Sequence, residues 1–407
     1  MLNLLPTRSD AALRRVVRHA YENVPFYRSR FDAVGVRPED VRTAADLARL
    51  PVVAKVELQA EPDAALARGL DPSGLFVRSS SGATGQPFES RTSLDDNARR
   101  RLARLLVDLR YGLRVGDRRA GIRTTPARGV RRKRPLARVV RAAGGFVETT
   151  IDCQLPAAEI LASLRRFRPT LVDGQSGSID RAAQIVLDAG DTSLRPRYVV
   201  TSGETLTPAM RERIREAFGA PVYDIYGAIE LGVVAAECAR TGLYHVERGV
   251  LVEVLRPDGS PARDGEEGRV VATSLTCFAA PLVRYATGDI AVRGPDGCPC
   301  GARVPTLRGV VGRVVHLFRV AGGREVHPWH VPVWRAQWVR QFQLAQETEL
   351  GFVLRLVLAP GTSPDAVEDL RRACEEVLGP GASLAVEIVD ALDVGPGGKS
   401  SNYQPLR

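Results

Sequence analysis

Lysine is almost missing from this chain. Of 57 basic residues only Lys55, Lys133 and Lys399 are lysine. Where arginine serves nearly everywhere, a remaining lysine marks a place that needs a compact, mobile ammonium in preference to a planar guanidinium. Lys133 sits inside a basic run and reads as incidental. Lys399, in Gly395-Pro-Gly-Gly-Lys-Ser-Ser near the C-terminus, is the candidate. Cysteine is scarce too. Six cysteines at irregular spacing in 407 residues do not make a disulfide framework. No apolar run approaches a membrane span, and Met1 to Arg14 lacks the pattern of a signal peptide, so the expectation is a cytoplasmic enzyme without a membrane partner. Aromatic residues make up 6%, with no stripe that would mark an aryl pocket.

What is present is ordinary for a soluble globular protein: 44% hydrophobic and 26% charged residues, at a length that allows roughly two or three domains. The net charge of +10 invites a nucleic-acid reading, carried mainly by the basic run from Arg128 to Arg141. That run has no aromatic residue to stack bases, and no helix-turn-helix or RNA-binding signature accompanies it. A solvated loop, or attraction of a small anionic substrate, fits better, so nucleic acid is not an expected partner.

Periodicity organises the chain. Ala11 to Glu22 and Asp40 to Leu50 read as helices, broken by Asn23-Val-Pro-Phe-Tyr. Phe76-Val77 reads as a strand end, and Asp95 to Leu109 as a helix. From residue 146 to 200 short strands (Thr170-Leu-Val-Asp-Gly and Arg197 to Thr201) alternate with helices (Ala157 to Phe167 and Ser178 to Ala189), which predicts parallel α/β layers. A helix from Thr207 to Phe218, with Thr207 as N-cap and Pro208 at its first position, precedes the strand Val222-Tyr-Asp-Ile-Tyr. Residues 243–295 turn β-rich (Val250 to Leu255, Gly268 to Thr273, Val292 to Gly294), as an antiparallel sheet or distorted barrel. Gln341 to Ala345, Phe352 to Leu358, Ser363 to Leu378 and Leu384 to Val389 form a β-β-α-β set. The predicted fold class is α/β. A large N-terminal domain (1–312) combines layered α/β sheets with the β-rich part, and a small α+β C-terminal domain (313–407) carries Lys399.

Ser79-Ser-Ser-Gly-Ala-Thr-Gly-Gln-Pro87 packs glycines and hydroxyls into one short loop. Glycines let N–H groups turn inward as an anion nest, and hydroxyls add donors, a combination suited to polyphosphate. By itself it is equally a flexible surface loop. Asp289 in Thr-Gly-Asp is alone an ordinary turn residue, and Glu230 a solvated helix-start acid. Gly398-Lys399-Ser400 also matches the end of a Walker A motif. Asp393 stands where its first glycine should be, however, and Ser-Asn-Tyr-Gln-Pro cannot supply the helix that should follow.

Taken in order, the Ser/Gly loop, Thr201-Ser-Gly-Glu-Thr-Leu, Tyr223-Asp-Ile-Tyr-Gly-Ala-Ile-Glu, Arg284-Tyr-Ala-Thr-Gly-Asp, Gly312-Arg and Lys399 resemble the adenylate-forming enzymes: acyl- and aryl-CoA ligases, adenylation domains and luciferases. Tyr21-Glu-Asn-Val-Pro-Phe-Tyr and Cys298-Pro-Cys-Gly make the chain most similar to the phenylacetate–CoA ligase branch and its relatives of capsule and natural-product biosynthesis. The resemblance implies that a carboxylic acid, aromatic by preference, is joined to the α-phosphate of ATP with loss of pyrophosphate. The acyl group then passes to CoA, or alternatively to a carrier protein or an amine. A non-catalytic nucleotide-binding scaffold is the contrasting reading. The oligomeric state stays open, a homodimer among the options.

The resemblance also implies roles. Ser80, Ser81, Gly82, Thr84 and Gly85 cradle the β- and γ-phosphates. Glu230 holds Mg²⁺. Gly203, Glu204, Tyr226 and Gly227 surround the adenine, and Asp289 takes both ribose hydroxyls. Arg313 reaches the ribose or phosphates, and Lys399 bridges the acid and the α-phosphate. Tyr111, Phe146 and Tyr223 are the candidates to touch an aryl substrate. Cys238, His245, Cys298 and Cys300 form a Cys₃His set for structural zinc, as in related proteins. Cys153, Cys277 and Cys374 read as small core residues, and His316, His327 and His330 as packing or hinge residues. Three departures from the family pattern stand out: Ile229 replaces a hydroxyl residue, Val314-Val315-His316 replaces an acidic hinge, and Gln86-Pro87-Phe88 lacks a basic residue. They bear on the second half-reaction more than on adenylation.

Overall fold

The computed structural model describes residues 6–79, 89–123, 147–313, 317–336, 338–392, 403, 404 and 406. The Ser/Gly loop from residue 80, the basic run, Phe146, residues 314–316 and Lys399 therefore lie outside the described residues. The chain divides into two compact units, residues 1–112 with 225–311, and residues 113–224 with 312–407.

In the first unit the helices Pro6–Asn23 and Pro25–Ala33 follow each other with only Val24 between them. Pro25 has no N–H to lose at a helix start, so the proline that breaks the first helix also begins the second. Phe26, Tyr27 and Phe31 are buried in edge-to-face contacts at 5.2 and 6.1 Å, and the phenol of Tyr27 accepts the Val283 N–H at 3.0 Å. The N-terminal aromatic segment thus supports the backbone just before Arg284. The predicted helix from Asp40 to Leu50 is instead two 3₁₀ turns, Pro38–Asp40 and Ala44–Arg49. Asp46 accepts the N–H groups of Arg42 and Thr43 at 3.0 and 2.8 Å, which favours a local cap over continuous helix.

The β-rich strands of this unit run in the order Val250–Leu255, Glu267–Ser274, Tyr285–Arg293, Thr306–Arg313, Tyr244–Val246 and Gly232–Glu237, ending beside Val222–Ala228. Its core joins the helical N-terminus to these strands, from Leu13 and Val16 through Val53 to Val270 and Tyr285. The helix Leu94–Arg110 starts in a capping box: the Ser93 hydroxyl accepts the Asp96 N–H at 3.1 Å, and Asp96 accepts the Ser93 N–H in return. Buried Asp96 also takes the N–H groups of Phe278 and Ala279, fixing the loop ahead of Tyr285–Arg293.

In the second unit four parallel strands stand in the order Tyr198–Ser202, Leu171–Gln175, Arg118–Arg123, Val147–Asp152. The helices Ala157–Phe167, Ser176–Asp188 and Pro208–Phe218 pack on them around Ile122, Ile160, Val172, Ile179 and Val199. The last helix begins at the predicted Thr207 cap and closes on Gly219 at φ 59°. A separate four-stranded sheet, Ser383–Ile388, Gly351–Leu358, Val339–Gln346 and Tyr403–Gln404, packs with the helix Pro364–Leu378 on a core that includes Phe318, Phe352, Leu354 and Cys374. This is the predicted C-terminal β-β-α-β set. Among the described residues no helix is long and apolar enough to cross a membrane.

Candidate active site

The centre of the first unit is built by two short segments of the same form, a tyrosine followed four residues later by an acid. Tyr226 and Glu230 belong to a hairpin in which the strands Val222–Ala228 and Gly232–Glu237 are joined by Ile229, Glu230 and Leu231. Tyr285 and Asp289 belong to the strand Tyr285–Arg293. Each tyrosine serves the other segment's acid. The Tyr285 hydroxyl donates to Glu230 Oε1 at 2.7 Å, and the Tyr226 hydroxyl donates to Asp289 Oδ2 at 2.7 Å.

Local geometry places both acids. In the hairpin, a Cβ on Gly227 would meet the Gly232 carbonyl oxygen at 2.8 Å, so only glycine lets the strands close there. Buried Arg100 donates to the carbonyls of Ile229 and Glu230, tying the hairpin turn to the helix Leu94–Arg110. In the strand, Ala286 pairs with Val271 and Ile290 with Arg269, so Thr287, Gly288 and Asp289 stand opposite Val270 alone. The bulge is made by Gly288 at φ 78° and held by the Thr287 hydroxyl, which donates to the Val270 carbonyl and accepts the Asp289 N–H. Bulges re-aim side chains, and this one turns Asp289 toward Tyr226. The sequence reading began this strand seven residues late, at Val292, because Thr-Gly-Asp has the composition of a turn.

Glu230 is only 7% exposed. Among the described residues its carboxylate receives one hydrogen bond, from Tyr285, and no ion pair. A buried carboxylate without a counter-charge is costly unless a cation arrives. Its remaining oxygen is a hard donor of the kind Mg²⁺ selects, so the residue fits the role of metal ligand.

The other predicted residues fall as follows. Glu204 lies in the second unit. Its carboxylate accepts the Gly177 N–H at 2.8 Å in the first turn of Ser176–Asp188, just after Gly203 at φ 80°. The ring of Tyr223 lies 6.2 Å from that of Tyr198 in the same unit. Tyr111 is buried in the first unit, its hydroxyl donating to the Glu237 carbonyl at 2.8 Å. Arg313 ends the strand Thr306–Arg313, but its side chain is outside the described set, as are Ser80, Ser81, Gly82, Thr84, Gly85, Phe146 and Lys399. His327 is buried, with its ring edge-on to His330 at 6.1 Å.

A second constellation is also complete within the first unit. The ligand atoms of Cys238, His245, Cys298 and Cys300 all lie within 4.8 Å of one another, the one such group of possible metal ligands among the described residues. Tetrahedral zinc with sulfur at about 2.3 Å needs neighbouring donors about 3.8 Å apart, and Cys300 Sγ stands 3.6 Å from His245 Nε2. Burial pushes the Cys238 thiol up, but the Thr241 hydroxyl, the Arg240 and Thr241 N–H groups and Cys300 outweigh it and bring it down to about 7. Burial, with Arg110 nearby, pushes His245 down and keeps the imidazole neutral. Burial, with Cys298 and Cys238 beside it, pushes the Cys300 thiol up instead; a metal binds thiols in the ionised form and imidazole in the neutral one. The donor set fits zinc.

Tyr285, Arg100 and Glu253, the last pairing with Arg284 at 2.9 and 3.1 Å, were not singled out by sequence reasoning. Tyr285 was visible inside its motif, but nothing in the sequence marks its partner 55 residues away.

No protein-family model matches the chain. Among characterised proteins, the phenylacetate–coenzyme A ligase of Aromatoleum evansii is 31% identical over 340 residues, covering 75% of this chain and 71% of that protein. The corresponding ligase of Escherichia coli is 33% identical over 303 residues, 68% of this chain and 64% of the relative. A crystal structure of 2-hydroxyisobutyryl-CoA ligase, in the postadenylation state with an acyl-AMP bound, shares the fold with a TM-score of 0.77 at 21% identity, covering 94% of this chain and 85% of that one. These relatives and the shared fold together define an adenylate-forming ligase. Within that class the chain belongs to the phenylacetate–coenzyme A ligase family.

Proposed function

We propose that this protein activates a carboxylic acid with ATP and passes the acyl group to CoA. A carboxylate oxygen attacks the α-phosphorus, the bond from that phosphorus to the α,β-bridging oxygen breaks, and pyrophosphate leaves with the bridging oxygen. The CoA sulfur then attacks the acyl carbon and AMP leaves. Both partners of the first step are anions, so catalysis consists mainly of charge neutralisation and positioning. The observation that carries this reading is the buried Glu230 carboxylate, with no counter-charge among the described residues, in a member of this ligase family.

In this reading Glu230 holds Mg²⁺, which when bound screens the phosphate charge. Asp289, kept in place by Tyr226 and the Thr287 hydroxyl, accepts hydrogen bonds from the ribose hydroxyls. Lys399 neutralises the meeting anions, and residues 80–85 hold the leaving pyrophosphate. Cys238, His245, Cys298 and Cys300 bind zinc as a structural clasp on the strands around them. The substrate class is an aryl acid by kinship with the phenylacetate ligases.

The test is acid-dependent exchange of pyrophosphate into ATP across a panel of aryl and short-chain acids, followed by CoA consumption with the best acid. Exchange with an aryl acid and stoichiometric loss of free CoA thiol is the expected result. Exchange without CoA consumption would move the second step to a carrier protein or an amine. Absence of exchange with every acid would leave a nucleotide-binding scaffold.

A further inference from the structure

The backbone at Arg284 is unusual. It is one of two non-glycine residues with positive φ among the described residues, at 47°, a conformation disfavoured for any side chain with a Cβ. The surroundings over-determine it. Its guanidinium is buried and paired with both oxygens of Glu253, and it donates to the carbonyls of Ala48 and Leu50. Its own carbonyl accepts the Val53 N–H at 2.9 Å, and the Val53 carbonyl accepts the Ala286 N–H at 2.9 Å, so Tyr285 is clamped from both sides. Tyr27 holds the preceding Val283 N–H. Five residues, Glu253, Ala48, Leu50, Val53 and Tyr27, thus hold the backbone on either side of Tyr285. Tyr285 itself is fully buried, and its hydroxyl reaches Glu230 Oε1.

Backbone strain that persists under so many restraints is a mark of function. We propose that Tyr285 is the positioning residue of the metal site: its hydroxyl fixes one oxygen of Glu230 so that the other is presented to the cation carried by ATP. This rests on the reading of Glu230 as the metal ligand. A tyrosine suits the task because it orients a carboxylate without cancelling its charge, whereas an arginine in its place would compete with the cation. Groups that orient a metal's carboxylate ligand typically change metal affinity by about 10–100-fold when removed.

The experiment uses the full-length protein with Mn²⁺ and α,β-methylene-ATP, a nucleotide that does not release pyrophosphate, and follows water-proton relaxation as the ternary complex forms. Tyr285→Phe should weaken the metal–nucleotide complex by about 10-fold or more and leave binding of metal-free nucleotide unchanged. Placing 4-aminophenylalanine at 285, which keeps a donor, should restore the affinity, and 4-methylphenylalanine, which fills the same space without one, should not. That pair also decides the matter if Tyr285→Phe fails to fold. Wild-type metal affinity in Tyr285→Phe, or equal affinity in the amino and methyl variants, overturns the inference. Glu230→Gln separates the two levels. If it loses metal affinity while Tyr285→Phe keeps it, only the role of Tyr285 falls. If Glu230→Gln binds the metal complex like wild type, the assignment of Glu230 falls and the inference with it.

Discussion

Glu253→Gln is the most direct way to probe the anchor behind the strand that carries Tyr285 and Asp289. The exchange keeps size and shape and removes only the charge that faces Arg284. The Arg284 side chain is 7% exposed and that of Glu253 20%, so the pair is largely desolvated. Removing one partner of a buried pair typically destabilises by about 3–5 kcal/mol. Arg284 keeps two carbonyl acceptors and Glu253 is partly wetted, which places the expectation near the lower end, about 3 kcal/mol. For a unit of about 200 residues, each kcal/mol moves the melting temperature by about 2–4 °C, so the midpoint should fall by about 6–12 °C. Calorimetry is the suitable assay, because the three tryptophans, Trp329, Trp334 and Trp338, all belong to the other unit. Arg284→Gly on top of Glu253→Gln should recover part of the loss. Glycine takes positive φ without steric penalty, and no lone guanidinium is left behind. A shift below about 2 °C, or strictly additive effects in the two-residue cycle, would refute the reasoning.

Three further outcomes are expected. Protein purified without chelator should contain close to one zinc per chain by elemental analysis, and Cys298→Ser should lower that content together with the melting temperature. Tyr226→Phe removes a hydrogen bond to a buried carboxylate, worth about 1.5–3 kcal/mol; the KM for ATP should rise by about 10-fold or more while the KM for the acid stays put in pyrophosphate-exchange kinetics. Lys399→Ala should slow adenylation by about 100-fold or more, the usual effect of deleting a group that neutralises transition-state charge, and an exchange rate equal to wild type would remove Lys399 from its assigned role.

Much of this architecture was legible one segment at a time. The helices Ala157–Phe167 and Pro208–Phe218 carry their apolar faces in the sequence itself, and the second also its Thr207 cap and Gly219 stop, so local signals suffice for them. The strand at Tyr285–Arg293 was read too short because its bulge needs Gly288 and hydroxyl-bearing Thr287, the same residues that make turns elsewhere. The 3₁₀ turn Ala44–Arg49 was read as regular helix, since the capture of backbone N–H groups by Asp46 has no periodic signature. At the site, Glu230 and Asp289 stood out through the ordered motifs. Their tyrosine partners could not be assigned, because sequence spacing says nothing of which strand lies beside which. The contact of Arg100 with the hairpin turn spans 130 residues and has no marker at either end. Cys238, His245, Cys298 and Cys300 were the exception, a non-local cluster legible through the Cys298-Pro-Cys-Gly turn and the family resemblance.

The arginine bias of the chain gives the tyrosine–acid pairs their meaning. With guanidinium groups so abundant, the default partner for a buried carboxylate is arginine, as at Asp173, Asp180 and Asp117 in the second unit. Such acids are structural: the paired charge is cancelled and unavailable to a ligand. At Glu230 the pattern breaks. Arg100 approaches the same residue yet donates to its backbone carbonyl and to that of Ile229, while the carboxylate receives a neutral hydroxyl. The guanidinium therefore shapes the turn, and among the described residues no cationic side chain pairs with the Glu230 carboxylate, which fits the proposed role of holding a cation. In a chain this rich in arginine, a buried acid held by tyrosine is a better indicator of ligand binding than burial alone.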